Sequence, residues 1–244
     1  MSNQMGRKER HQGAKPLDLH FDSFSAAWMF GLDFRQYLRD CWRPTENRLL
    51  YCLMRLIFPK GKHKPLFNHS DLVRMQEGGY GGACFTAHAL WNNLTPWWGN
   101  PWRKIQGHHE LLRTLADDPN VPIEQATTPE AYERIVREGN VAAIFSVEGL
   151  HGFAPTTRRH WDTVLARLVD FRTKLGGAVV TVNHYASNHV ATSSTPIFGS
   201  AKPDRRSGPN MRSFVAKAKE LGLVLDLAHT NRQGILDICE VAQA

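Results

Sequence analysis

Residues 141–151, VAAIFSVEGLH, decide the fold class of this chain. The first seven residues are almost all apolar, and a short apolar run bounded by a glycine is typical of a strand that is buried on both faces. Glu148 ends the run, and burying a carboxylate there costs several kcal/mol unless it is paired or bound to a metal. The segment therefore predicts a core strand with a chemically active residue at its carboxyl end.

The same unit, a short apolar strand that ends in a polar residue and is followed by a helix, recurs along the chain. We predict further strands at residues 16–22, 80–88, 178–182 and 223–227, and helices at 33–58, 102–115, 129–138, 161–175, 211–221 and 232–242. The glycines of the second strand suit a place that another backbone approaches closely, and Thr128 is expected to cap the helix that begins at Pro129. Strands that alternate with helices indicate a parallel α/β sheet, which is either an open doubly wound sheet or a β/α barrel.

The polar residues at the strand ends favour the barrel. They are His20 with Asp22, Glu148, His184 and His229. In a barrel the carboxyl ends of all strands converge on one mouth, and the sequence lacks the glycine motifs of nucleotide-binding open sheets. We therefore predict a (β/α) barrel domain over residues 16–244, preceded by a basic, polar and flexible tail over residues 1–15. Because the units found use the whole chain, about five of the eight units of a closed barrel are expected, with an open sheet edge that favours association of copies.

Four of the strand-end residues form a candidate metal site. His20 and Asp22 are two positions apart on a strand, so their side chains leave the same face. Glu148 and His229 would add a carboxylate and an imidazole, which are the donors that a hard or borderline divalent ion prefers. Taken singly, Glu148 could instead cap a helix or form a salt bridge, and His229 could be a core histidine, so the set as a whole carries the prediction. The remaining histidines of the predicted loops and helices are expected at the surface: His63, His69, His108, His109 and His160.

The composition, charge and cysteine content of the chain exclude several classes of protein. The chain has 244 residues, of which 42% are hydrophobic and 22% charged, and this is typical of a globular protein with no membrane span. The net charge of +7 is concentrated in residues 1–70, which hold 12 Lys or Arg against 6 Asp or Glu, but no recognition motif accompanies it, so no nucleic-acid partner is expected. The four scattered cysteines and the lack of an apolar signal core predict reduced thiols and a cytoplasmic location.

Five segments, taken in order and spacing, resemble the membrane (renal) dipeptidase family of zinc peptidases. They are LDLHFDS at 17–23, GGYGG at 78–82, SVEGLH at 146–151, TVNHYASN at 181–188 and LGLVLDLAH at 221–229. The resemblance covers roughly residues 16–242 and implies a (β/α) barrel of the metal-dependent hydrolase type. Two zinc ions at its mouth would hydrolyse dipeptides through a hydroxide held between the metals.

The resemblance also implies roles for individual residues. His20 and Asp22 are similar to the ligands of the first zinc, Glu148 to the carboxylate that bridges both ions, and His229 to a ligand of the second. His184 is similar to the histidine that contacts the substrate and steadies the oxyanion.

The family pattern also contains residues that would follow Ala244: a further zinc histidine, an arginine near the substrate carboxylate and an aspartate for proton transfer. We therefore expect either the first part of a longer protein or a product that has lost its second half, with an incomplete second zinc site and little dipeptidase activity by itself. Two alternatives stay open. Another metal-dependent amidohydrolase with one metal would want H-x-H in place of His20-x-Asp22, and a truncated or degenerate homologue would be non-catalytic.

Overall fold

The computed structural model describes residues 15–36, 48–49, 52, 70–89, 92, 99–155, 157–197 and 199–243. Within these residues, six strands alternate with seven α-helices. They are β1 (Leu17–Phe21), α1 (Ser23–Phe30), α2 (Leu72–Glu77), β2 (Gly82–His88), α3 (Pro101–Ala116), β3 (Ile123–Gln125), α4 (Pro129–Arg137), β4 (Val141–Glu148), α5 (Trp161–Thr173), β5 (Val179–Thr181), α6 (Met211–Glu220), β6 (Val224–Asp226) and α7 (Arg232–Gln243).

The strands form a parallel sheet in the order β1-β2-β4-β5-β6, with β3 paired to β4. Consecutive parallel strands with helical connections are the arrangement of part of a (β/α) barrel, so the predicted fold class is confirmed. Glu148 at the end of β4 lies opposite Thr181 of β5, and Thr181 lies opposite Asp226 of β6. The carboxyl ends of these three strands are therefore level with one another.

Three short elements were not predicted from the sequence: α1, α2 and β3. The strand β3 has only three residues and two of them, Glu124 and Gln125, are polar, so it carries no apolar run. Of the helix predicted at 33–58, residues 33–36 form turns or irregular backbone, and most of the remainder lies outside the described residues, as does nearly all of the predicted basic tail. The other predicted helices and the five predicted strands are present within a few residues of their expected bounds.

The chain divides into two compact units, and the first comprises residues 1–85 and 112–144. Its aromatic core contains four phenylalanines whose neighbouring ring centroids lie 5.2–6.4 Å apart: Phe21, Phe24, Phe34 and Phe85. A Cβ at Gly82 would lie 2.4 Å from the carbonyl oxygen of Ala142, so the close backbone approach predicted for the second strand is confirmed. Thr128 caps α4 by accepting a hydrogen bond from the N–H of Ala131 at 3.1 Å, with Pro129 at the first helical position.

The second unit comprises residues 86–111 and 145–244. Its core contains Phe171, whose ring centroid lies 5.6 Å from that of Phe145 and 5.6 Å from that of Phe153. Phe153 also stacks on Trp102 of α3 at 5.9 Å. Phe145 belongs to β4 and Phe171 to α5, so their contact packs this helix against the strand that ends at Glu148.

The cysteines and the helices relate to two predictions from the sequence, which are reduced thiols and the lack of a membrane span. Cys52, Cys84 and Cys239 carry thiols that form no disulfide, as predicted, while Cys41 lies outside the described residues. Among the helices that the structure describes, none combines the length and the apolar character required to cross a bilayer.

Candidate metal centre

Glu148 is placed by the last residues of β4. Its side chain is buried, with 3% of the residue exposed. Gly149 follows with a φ of 84°, a conformation that favours glycine, and its N–H donates to the carbonyl of Thr181 at 2.9 Å. A Cβ at Gly149 would lie 2.5 Å from the His151 ring and 3.2 Å from the Cβ of His184. Glycine therefore lets these two histidines approach the chain directly after the carboxylate.

His184 is held in the loop after β5 by side-chain hydrogen bonds to the backbone. The amide of Asn183 donates to the carbonyls of Ala186 at 3.2 Å and Ala191 at 3.1 Å. The hydroxyl of Ser193 donates to the carbonyl of His184 at 2.7 Å. These bonds satisfy buried polar groups and fix His184 in a buried position.

His229 follows β6 in an unusual backbone conformation. Among the described residues it is the one non-glycine with positive φ, at 61°, and such a conformation is costly for a residue with a Cβ. Ser194 N–H donates to the His229 carbonyl at 2.7 Å, and the Thr195 hydroxyl lies 2.7 Å from His229 Nδ1. Because Nδ1 is engaged by Thr195, Nε2 is the ring nitrogen that faces Glu148.

The three side chains converge on one point. Glu148 Oε1 lies 3.3 Å from His229 Nε2 and 3.5 Å from His184 Nε2, and one ligand atom of each residue lies within 4.8 Å of the other two. Ligands about 2.0–2.1 Å from a tetrahedral zinc ion are themselves about 3.3–3.4 Å apart. A buried carboxylate and two imidazole nitrogens at this spacing fit a divalent metal of the zinc type.

His20 and Asp22 lie in the first unit, at the end of β1. His20 Nε2 is 3.3 Å from Asp22 Oδ1, as expected for two residues on the same face of a strand. Asp22 directly precedes α1, but its side chain makes no capping hydrogen bond with that helix. The pair therefore offers one imidazole and one carboxylate side by side.

Further histidines surround His184. The ring centroids of His88 and His151 lie 6.1 and 6.2 Å from that of His184, and His88 lies 6.3 Å from His108. His88 ends β2, so the strand-end argument that selected the predicted residues also applies to it.

The prediction that His108 is a surface residue is wrong. It is completely buried, and its Nδ1 lies 2.8 Å from the carbonyl of Lys104. Ile105, His108, Leu112 and Leu115 recur at the spacing of one helix face, so His108 occupies a core position of α3. His63 and His69 lie outside the described residues.

Burial lowers the pKa of His108 and of His151 from 6.5 to about 3. Removal from water disfavours the imidazolium form, and for His151 the neighbouring His184 acts in the same direction. Both rings are therefore neutral at neutral pH.

Comparison with known proteins shows which protein family the chain belongs to. The model of the membrane dipeptidase family (peptidase family M19) matches residues 47–244. This match includes well over half of the chain, so the chain belongs to the membrane dipeptidase family.

Individual relatives are dipeptidases by name. The chain is 27% identical over 186 residues to an uncharacterised dipeptidase of Schizosaccharomyces pombe, covering 73% of this chain and 42% of that protein. It is 25% identical over 209 residues to dipeptidase verJ of Clonostachys rogersoniana, covering 82% of this chain and 47% of that protein. The chain thus spans less than half the length of these curated relatives.

Two solved structures share the fold. The dipeptidase AC, a metallo peptidase, aligns with a TM-score of 0.59 at 18% identity, covering 94% of this chain and 61% of that chain. A metallo peptidase from Rhodobacter sphaeroides, liganded with a phosphinate mimic of the dipeptide L-Ala-D-Ala, aligns with a TM-score of 0.53 at 18% identity, covering 80% of this chain and 58% of that chain.

Proposed function

We propose that this chain carries the metal-binding half of a zinc-dependent dipeptidase, which hydrolyses the single peptide bond of a dipeptide. The observation that carries the proposal is the buried Glu148 carboxylate with the Nε2 atoms of His184 and His229 directed at one of its oxygens. A buried carboxylate without a metal or a strong partner is costly. A divalent ion bound by the Glu148 carboxylate and the His229 imidazole would compensate that cost.

The proposed ligands are those that the sequence indicated. His20, Asp22 and Glu148 would hold the first zinc, and Glu148 and His229 would hold the second. The His20-x-Asp22 pair on β1 favours this assignment over a mononuclear amidohydrolase, because the latter uses two histidines at that place. His184 is proposed to face the substrate rather than to bind zinc.

The chemistry follows from these residue types. Zinc, when bound, would polarise the scissile carbonyl and supply a nucleophile at neutral pH. His184 would donate a hydrogen bond to the carbonyl oxygen as negative charge develops there. Thr195, through its hydroxyl on His229 Nδ1, would keep that ring oriented. The phosphinate mimic of a dipeptide on the Rhodobacter sphaeroides protein supports a dipeptide as the class of substrate.

The proposal is tested by measuring zinc content and dipeptide hydrolysis on the same preparation. The wild-type chain should bind zinc, and substitution of either His20 or Glu148 by alanine should lower the number of zinc ions per chain. Glu138→Ala, which removes an exposed carboxylate paired with Arg134, is the matched control and should leave zinc content unchanged.

The outcomes separate the alternatives. Zinc-dependent release of amino acids from dipeptides supports the dipeptidase and contradicts the expectation that this chain has little activity by itself. Zinc binding without hydrolysis agrees with the incomplete second zinc site that the sequence predicts, and also with a non-catalytic homologue. A chain that binds no zinc would refute the proposal. A cytoplasmic location and association of copies stay predictions of the sequence.

A further inference from the structure

Tyr185 lies against both histidines of the candidate metal centre. Its ring centroid is 3.9 Å from that of His184 and 5.5 Å from that of His229. In spite of these contacts the residue is 37% exposed. Tyr185 is therefore not a core residue, and it presents part of its surface to solvent beside the point where the metal ligands converge.

Ile197 lies next to Tyr185 and is also exposed, at 46%. Its N–H donates to the carbonyl of Tyr185 at 3.1 Å, so the two residues are neighbours in space. The intervening residues are fixed to the metal centre, because Ser193 bonds the His184 carbonyl and Thr195 bonds the His229 ring. Tyr185 and Ile197, which we call the apolar ledge, are thus held in place by the same segment that orients the histidines.

We propose that the apolar ledge binds an apolar side chain of the substrate dipeptide; this inference rests on the proposed function and names its class of substrate. An apolar substrate side chain on the ledge would cover surface that is otherwise in contact with water, and this is favourable in proportion to the area buried. A charged side chain would lose hydration there, and neither residue of the ledge offers it a counter-charge. The ledge therefore selects leucine-like or phenylalanine-like dipeptides over acidic ones.

The experiment measures binding of phosphinate analogues of Leu-Leu, Gly-Gly and Asp-Asp to the zinc-loaded chain by titration calorimetry, with zinc content determined in parallel. The Leu-Leu analogue should bind roughly 10-fold or more tightly than the other two, in the range that differences of a few methylenes produce in a hydrophobic site. Tyr185→Ser and Ile197→Ser should each remove most of this preference while the affinity for the Gly-Gly analogue and the zinc content stay within about twofold.

Two further variants make the result specific. Tyr185→Phe retains the aromatic surface and should keep the preference. Leu236→Ser removes an exposed apolar side chain of α7 and should change nothing. Equal binding of all three analogues by the wild type, or an equal loss for all three in Tyr185→Ser, would overturn the inference but leave the proposed function standing. Failure of the wild type to bind any of the analogues would overturn both.

Discussion

The substitution Glu148→Gln tests the metal centre without relying on catalysis. Gln has nearly the same volume as Glu but carries no charge. In the metal-free chain the substitution removes a buried carboxylate, and replacing a buried charge by a neutral group of similar shape is often neutral or stabilising. We therefore expect the melting temperature of the metal-free variant to equal or exceed that of the metal-free wild type.

Zinc should raise the melting temperature of the wild type much more than that of Glu148→Gln. At a free zinc concentration 100 times its dissociation constant, binding stabilises the wild type by about 2.7 kcal/mol. For a chain of this size each kcal/mol raises the melting temperature by about 2–4 °C, so the expected rise is about 5–11 °C. If the substitution weakens zinc a hundredfold, the same concentration contributes RT ln 2, about 0.4 kcal/mol, and a rise of less than about 2 °C.

Differential scanning calorimetry with and without zinc measures both quantities. Glu124→Gln is the matched control, since Glu124 is a half-exposed carboxylate that pairs with Arg134, and it should retain the zinc-dependent rise. A Glu148→Gln variant that is destabilised without metal and still shows the full rise with zinc would refute the reasoning. In that case Glu148 would be a structural carboxylate that its two histidines satisfy.

Three further predictions concern residues around the centre. In a full-length dipeptidase that contains this chain, His184→Ala should leave the zinc content intact but lower kcat for a dipeptide roughly a hundredfold or more, as loss of an oxyanion donor does; loss of zinc in this variant would make His184 a ligand. Thr195→Val removes the hydroxyl on His229 Nδ1 and should weaken zinc binding about 10- to 100-fold in a competition titration with a chelator, and unchanged affinity would contradict that role. The pKa of His108 is about 3 in the folded chain against an ordinary 6.5. Between these two pH values the unfolded chain therefore binds a proton at this residue that the folded chain does not bind. His108 should thus lower the free energy of unfolding by about 1.4 kcal/mol for each pH unit below about 6.5. The free energy of unfolding, measured in urea between pH 7 and pH 5, should therefore depend less steeply on pH in His108→Leu than in the wild type, by about the uptake of one proton. The same pH dependence in both proteins would contradict the burial argument.

The class of fold could be predicted from the sequence, and the sequence also selected Glu148, His184 and His229, which the structure brings together as candidate donors. Apolar runs of strand length alternate with helical patterns, and this alternation can be recognised from neighbouring residues without knowledge of the tertiary structure. Glu148 and His229 follow directly on such runs, so the rule that strands of a parallel sheet present their carboxyl ends together was enough to select them. His108 could have been found in the same way, because its spacing from Ile105 and Leu112 already places it on the buried face of α3.

The tertiary structure alone decided how these residues meet. The distances of 3.3 and 3.5 Å around Glu148 Oε1 depend on the register that sets Glu148 opposite Thr181 and Thr181 opposite Asp226. Register is a property of strands that are distant in sequence, and no local pattern encodes it when strands are only three residues long.

The same holds for the loop residues that complete the centre. The positive φ of His229, the hydroxyl of Thr195 on its ring and the contact of Tyr185 with two imidazoles all belong to loops that follow β5 and β6 and are distant from each other in sequence. Sequence periodicity determined which residues are buried and where the strands end, because both can be inferred from the pattern of a few neighbouring residues. The directions of the side chains at those ends were decided by long-range packing, since they depend on loops whose geometry is fixed by contacts far along the chain.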